Sequence, residues 1–364
     1  MNDSMWDWFY TYESEAMRVG DPQRMQLPRL HRQAWYKLET KPREGLAMYE
    51  QGKALAQTLG EACWVLFYEY WRCEAFLFYL KELHEARIAA VQAIVEARKP
   101  EYQRCAVLPN IYRLAVDAYT LIDPVGYEDK IIELIDYIEE TLHPGGGNRR
   151  LLLARRSEVA FACERMDEAI AAGQEFLRLS EEEGSVYHKA GAYAILGHYA
   201  YVSGQYDVAL EHVRAGELNA RLSGTRYFTP LLLAWQAAIL CRQGDDLAAE
   251  RYYRQATMQA DGLLSRQSGA YYDALCDYLE LSGMPDMALE LRDRQLAAVA
   301  GTGAYYDETD CRLRRCRLLG RMGLPLTDDL HAARESTARL LKPASLLAKL
   351  ERVAQGDYTE TRYP

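Results

Sequence analysis

Arg312, Arg314, Arg315, Arg317 and Arg321 make the strongest local charge feature of the chain, and Arg314, Arg317 and Arg321 share a helical face. Guanidinium groups aligned in this way could dock an acidic partner or a phosphate. A solvated outer face of a capping helix gives the same spacing. Other chemistry-bearing residue types do not converge. His84-Glu85 lacks the second histidine, one helical turn on, that a zinc-hydrolase helix needs. Neither a Gly-x-Ser-x-Gly elbow nor a Gly-x-x-x-x-Gly-Lys phosphate loop occurs, and no strand precedes Gly145-Gly146-Gly147. Glu181-Glu182-Glu183 reads as a solvated run near a helix end. No catalytic residue, metal site or cofactor is assigned, and the sequence reads as that of a non-enzyme.

Composition narrows the class further. The formal charge of −10 opposes non-specific attraction to nucleic acid phosphates. No apolar run approaches the roughly 18 residues that a membrane span requires. Residues Met1 to Trp8 carry acidic groups where a secretory signal has basic ones, so a cytoplasmic location is expected. The eight cysteines include no Cys-x-x-Cys pair and fall mostly in apolar helical stretches, where reduced thiols acting as small core residues are expected.

What positions the side chains is a repeat. Ser203-Gly-Gln-Tyr-Asp-Val-Ala209 is echoed at Gln243 to Ala249 and at Ser282 to Ala288, each reading as a helix end, a turn and the first turn of a second helix. Ala47, Ala86, Ala169, Ala209, Ala249 and Ala288 recur at 39 or 40 residues, apart from one gap of 83 that holds a divergent copy. In the unit from Ala190 to about Ser223, Tyr193, Leu196, Gly197 and Ala200 form one stripe, and Ala209, Val213 and Gly216 another. Gly197 and Ala209 are small where two helices would cross. Asp207, Asp246 and Asp286 stand where they can accept hydrogen bonds from open amides, and Pro285 suits a first helical turn.

These stripes resemble the tetratricopeptide repeat: an aromatic residue, Leu-Gly, then Ala early in the second helix, then a large and a small apolar residue. Leu233, Ala237, Leu240, Ala249, Tyr253 and Ala256 repeat the pattern, as do Tyr70, Cys73, Leu77, Ala86, Ala90 and Ala93. Leu153, Ala160, Ala169 and Phe176 fit it, and Ala34, Trp35, Leu38, Ala47 and Ala54 give a thinner first unit. In the last unit Tyr272, Leu275, Cys276, Leu279 and Ala288 match, but Arg292 and Gln295 replace apolar residues, so a looser second helix is expected there. The third unit, roughly 101–142, has Lys130 where the alanine would fall and a break at Asp123-Pro-Val-Gly126. The family's unit is usually 34 residues, and one extra helical turn on each helix accounts for about 40 here.

The expected fold is all-α: a right-handed αα superhelix, TPR-like, of about seven hairpins with capping helices. Residues 1–26 would hold an N-terminal cap, 27–143 repeats one to three, 148–300 repeats four to seven, 301–355 C-terminal caps and 356–364 a disordered tail. Pro144-Gly-Gly-Gly147 would separate the two repeat blocks as a loop or hinge.

The resemblance implies a concave wall built from the first helices, for gripping extended or helical peptides. Here it would comprise Arg29, Arg32, Tyr36, Tyr68, Trp71, Phe78, Tyr79, Tyr112, Tyr119, Glu158, Phe161, His198, Tyr201, Asp273, Asp277 and Glu280, passing from basic through aromatic to acidic. Aromatic rings with polar tips suit a wet binding wall. They also serve as core filler, and 27 tyrosines cannot all be ligands. The Lys and Asn pairs with which some relatives clamp chaperone C-termini are missing. The leading expectation is a non-catalytic scaffold or adaptor for a protein or peptide segment; for Arg314, Arg317 and Arg321 the solvated outer face is the favoured reading and a docking patch the alternative. The alternatives are a bacterial peptide-responsive receptor that sequesters its target, or a structural subunit of a larger assembly. With about 26 residues before the repeats, a DNA-binding domain ahead of them is not expected.

Overall fold

The computed structural model describes residues 4–142, 145–224, 227–259 and 268–359. Among them the regular structure is helical throughout, with eighteen α-helices and no strand. None of these helices is long and apolar enough to cross a membrane. The chain divides into two units, residues 1–122 with 128–152, and residues 123–127 with 153–364.

The first unit opens with α1 (Met5–Val19), followed by the hairpins α2 (Gln26–Thr40) with α3 (Pro42–Leu59), α4 (Ala62–Glu74) with α5 (Leu83–Ala97), and α6 (Leu108–Ile122) with α7 (Glu128–Tyr137). Both α4 and α7 continue into a π-helical turn, at Ala75–Leu80 and Ile138–Leu142. The third hairpin, the divergent copy, is present with its register moved by one residue. Ile131 is buried where a small residue was expected to cross, and Lys130 points outward to Glu133 at 2.8 Å. Pro144 lies outside the described residues, whereas Gly146 and Gly147 already belong to α8 (Gly146–Ala162), so these glycines do not stop a helix.

The second unit continues with α9 (Met166–Glu182), α10 (Val186–Val202), α11 (Tyr206–Leu222), α12 (Thr229–Arg242), α13 (Asp246–Gln259), α14 (Ser268–Leu281) and α15 (Pro285–Val299). It ends with α16 (Tyr305–Arg321), α17 (Thr327–Thr337) and α18 (Ala344–Ala354). The helices α9, α10 and α11 have 17 residues each, which with short turns accounts for the 40-residue period. Small residues stand at the crossings. A Cβ on Gly197 would lie 2.7 Å from Val213 Cγ1, and one on Gly216 2.8 Å from Leu232 Cδ2.

The helix ends explain the recurring glycine. Gly204 takes φ +75°, and the turn closes with Gly204 N–H to Tyr201 C=O at 2.9 Å and Gln205 N–H to Ala200 C=O at 2.9 Å. Where the sequence has Glu164 instead, the same left-handed turn forms at φ +62°. The aspartates behave differently from expectation. Asp245, not Asp246, accepts from the Ala248 amide at 3.1 Å, and Asp207 reaches across to Gln243 Nε2 at 2.7 Å. Asp207, Asp246 and Asp286 occupy first turns, where their charge complements the helix dipole.

Two further expectations are corrected. Arg292 does not loosen α15: it is 2 % exposed, and its guanidinium meets Asp273 and the Gln295 side chain. Cys63 and Cys105 are joined in a disulfide, with Cα atoms 5.1 Å apart, that links the start of α4 to the turn before α6. The other six cysteines are thiols.

Candidate functional site

In the second unit the first helices of successive hairpins turn one face inward and line a cavity of about 150 Å³. Phe161 comes from α8, His198 and Tyr201 from α10, Trp235 and Arg242 from α12, Asp273 and Asp277 from α14, Asp310, Arg314 and Arg317 from α16, and Lys349 from α18. The C-terminal helices close this wall on itself. Ser345 Oγ and Lys349 Nζ, both on α18, each approach Glu164 in the α8–α9 turn at 2.7 Å. The Tyr306 hydroxyl donates to the Ala162 carbonyl at 3.5 Å.

One side of the cavity is aromatic. The His198 ring stacks on Trp235 at 4.9 Å and tilts against Phe161 at 5.0 Å, while Tyr201 meets Trp235 at 4.8 Å. Burial, outweighing the opposing pull of Asp273, lowers the His198 pKa to about 4, so the imidazole is neutral near neutral pH. Tyr201 donates to Asp277 at 2.9 Å, and burial followed by the Asp277 charge raises its pKa.

The other side is a lattice of paired charges. Asp273 is held by the buried Arg292 and lies 3.7 Å from Arg314, which also donates to Asp310 at 2.7 Å. Burial alone would raise the Asp310 pKa, but Arg314 holds it below its ordinary value. Asp307 is exposed locally yet walled in at longer range. Its pKa is pushed up to about 7 by that enclosure and then by Asp310, Asp273 and Glu158. The thiols of Cys276 and Cys311, near this lattice, are pushed up to about 12 by burial, which leaves little nucleophilic thiolate.

The residues expected on one wall therefore separate. Phe161, His198, Tyr201, Asp273 and Asp277 line the cavity, and Glu280 lines an adjoining recess with Arg321. Arg314 and Arg317 face inward beside them and are no solvated outer face. In the first unit Tyr68, Trp71, Tyr112 and Tyr119 are buried and are core, not open wall. Trp71 is covered by α1, whose Trp6, Trp8 and Phe9 pack onto Trp71, Trp64 and Phe67, and whose Glu13 pairs with Arg32. The Tyr68 hydroxyl donates to the Leu27 carbonyl at 2.6 Å, and Tyr112 packs on Tyr137 at 4.9 Å. Phe78 and Tyr79 are half-buried in the π-helical turn after α4, while Arg29 and Tyr36 are exposed. The sequence reading missed Trp235, Arg242, Tyr306, Asp310 and Lys349. Trp235 is hidden in the stretch from Leu231 to Leu240, apolar but for Gln236, which has no polar stripe to mark an inward face.

No family model matches the chain, and no curated protein matches it by sequence. Solved structures do resemble it in fold. One is a Rap protein complexed with competence and sporulation factor, 12 % identical, with a TM-score of 0.62 over 97 % of this chain and 97 % of that one. Another is aspartyl phosphate phosphatase F from Bacillus subtilis, 13 % identical, with a TM-score of 0.50 over 99 % of this chain and 92 % of that one. The fold they share with this chain is an all-α solenoid of helical hairpins.

Proposed function

We propose that the protein is a non-catalytic binding module of divergent, long-unit tetratricopeptide type that grips a protein or peptide segment at the cavity of its second unit and along the adjoining recess of about 830 Å³. The observation that carries this reading is the wall itself, in which aromatic faces stand opposite paired charges of both signs on six consecutive inner helices. Such a surface offers stacking and hydrogen bonding to a main chain with mixed side chains. The acid groups are engaged by arginine or tyrosine, and the histidine is held neutral, which suits recognition more than proton transfer. Replacing Phe161 by a photo-crosslinking phenylalanine analogue tests the reading, with the exposed Leu222 as control position. Adducts confined to one segment of one partner from position 161, and absent from position 222, are expected. Equal labelling from both positions would reject the cavity as the site.

A second reading is favoured by the Rap structure, which matches nearly the whole chain and was solved with a bound factor. In it, the protein is a peptide-responsive receptor that sequesters a target. Compaction in solution scattering on adding the bound peptide separates this from a passive adaptor.

A further inference from the structure

The cavity continues into a second recess. Arg242 and Asp277 line both, and beyond them the recess is walled by Glu280, Leu281 and Arg321, at the ends of α14 and α16. Its remaining wall is the chain's own segment Gly356–Thr359. This segment leaves α18 through a left-handed glycine, Gly356 at φ +89°, and is held by three devices. Asp357 N–H donates to the Arg352 carbonyl at 2.9 Å, which fixes the exit from the helix. Asp357 Oδ1 then accepts from the Thr359 amide at 3.1 Å and hydroxyl at 2.5 Å, folding a local turn. Arg321 Nη1 donates to the Tyr358 carbonyl at 3.0 Å, so an inner-wall arginine reads the segment's main chain.

The ring of Tyr358 seats over Gly320. A Cβ there would come within 2.2 Å of Tyr358 Cε1, so the glycine is the floor of an aromatic seat. Gly320 lies within α16 and has no left-handed conformation to explain it, and alanine would be the better helix former at that position. Contact with the ring accounts for a glycine there. The expected disordered tail is thus ordered over its first residues, and residues 360–364 lie outside the described ones.

Resting on the reading of the cavity as a peptide site, we propose that Gly356–Thr359 is a built-in occupant of the cavity mouth, which an incoming segment must displace. The contacts it makes are those of a bound peptide: a backbone carbonyl on a wall arginine and an aromatic ring in a glycine-floored seat. The displaced segment takes Tyr358 with it, vacates one Arg321 donor and opens the recess that Arg242 and Asp277 line.

The test uses a chain ending at Gln355, which retains α18 and its last buried residue Val353. The probe is a labelled synthetic peptide of residues 355–364, titrated by fluorescence anisotropy into the shortened chain, the intact chain, and the shortened chain carrying Gly320→Ala. A short tether supplies an effective concentration of about 1 mM, and a competing tether weakens binding by a factor of 1 plus that concentration over Kd, so the shortened chain should bind with a Kd below about 0.1 mM and the intact chain at least about tenfold more weakly. Gly320→Ala should abolish binding while leaving the helical circular dichroism unchanged. Absence of saturable binding to the shortened chain, or equal binding by intact and shortened chains, overturns the proposal. A random peptide library panned on both chains separates the two readings. Library binders together with a failed tail peptide sink only the strap. A tail peptide that binds, with no library binder, leaves the strap as a self-contact and removes the cavity's wider role.

Discussion

Arg292 is nearly inaccessible, and its ion partner Asp273 lies on the cavity wall. Taking away that carboxylate leaves a buried guanidinium without its counter-charge. Asp273→Ala should therefore lower stability by about 3–5 kcal/mol, whereas Asp277→Ala, which loses the hydrogen bond from Tyr201, should lower it by about 1 kcal/mol. Urea denaturation of both variants checks this; similar losses would show that Asp273 is no structural anchor. His31 gives a pH test. Among the described residues neither ring nitrogen has a hydrogen-bond partner, and burial, then Arg32, lowers its pKa from 6.5 to about 3. Below about 6.5 the unfolded chain takes up a proton that the folded chain refuses until about pH 3. Stability is consequently lost as pH falls through that window, by up to about 1.4 kcal/mol per unit for one proton. His31→Leu should remove that part of the slope. A difference between wild type and variant that does not change with pH would contradict the assignment, and Asp307, which acts in the opposite sense, cancels in the comparison.

At the scale of the element, two glycines seven residues apart in one hairpin do different work. Gly204 supplies a left-handed turn, and Gly197 supplies close approach to Val213. Gly204→Ala should cost about 1–2 kcal/mol through its backbone, and Gly197→Ala about 1–3 kcal/mol through crowding. Val213→Ala should rescue part of the second loss and none of the first, measured by thermal unfolding of the double variants. Rescue of both would mean that the glycines share one role. These elements were legible in the sequence because each hairpin writes its own signature locally: Gly204, Gly244 and Gly283 at the turns, and Ala209, Ala249 and Ala288 at the crossings. The capping role given to Asp207 was not legible, since its actual partner Gln243 belongs to the next hairpin and no spacing announces it.

For the molecule as a whole, what the sequence withheld was long-range. Glu164 meets Ser345 and Lys349 across about 180 residues, and the Asp123 carboxylate accepts from the Leu341 amide at 3.0 Å. Periodicity describes how neighbours stack, and it is silent on where the last helices return. An open trough was therefore expected, and the second unit instead encloses a cavity. In the first unit the expected cap α1 covers Trp71, and contacts with the partner helices bury Tyr68 and Tyr112, so rings that read as wall are core. Cys63 and Cys105 likewise lie 42 residues apart with nothing in their spacing to pair them.

If a segment is held at the cavity of the second unit, filling that cavity must weaken its binding. The most direct measurement is calorimetric titration of a library-selected or cross-linked peptide against wild type and Ala162→Trp, a variant that places an indole into the cavity from its lining. Ala162→Trp should keep the thermal transition of wild type and lose at least about 1.4 kcal/mol of binding free energy, a tenfold weaker Kd. A folded Ala162→Trp protein that binds as tightly as wild type would contradict binding at the cavity.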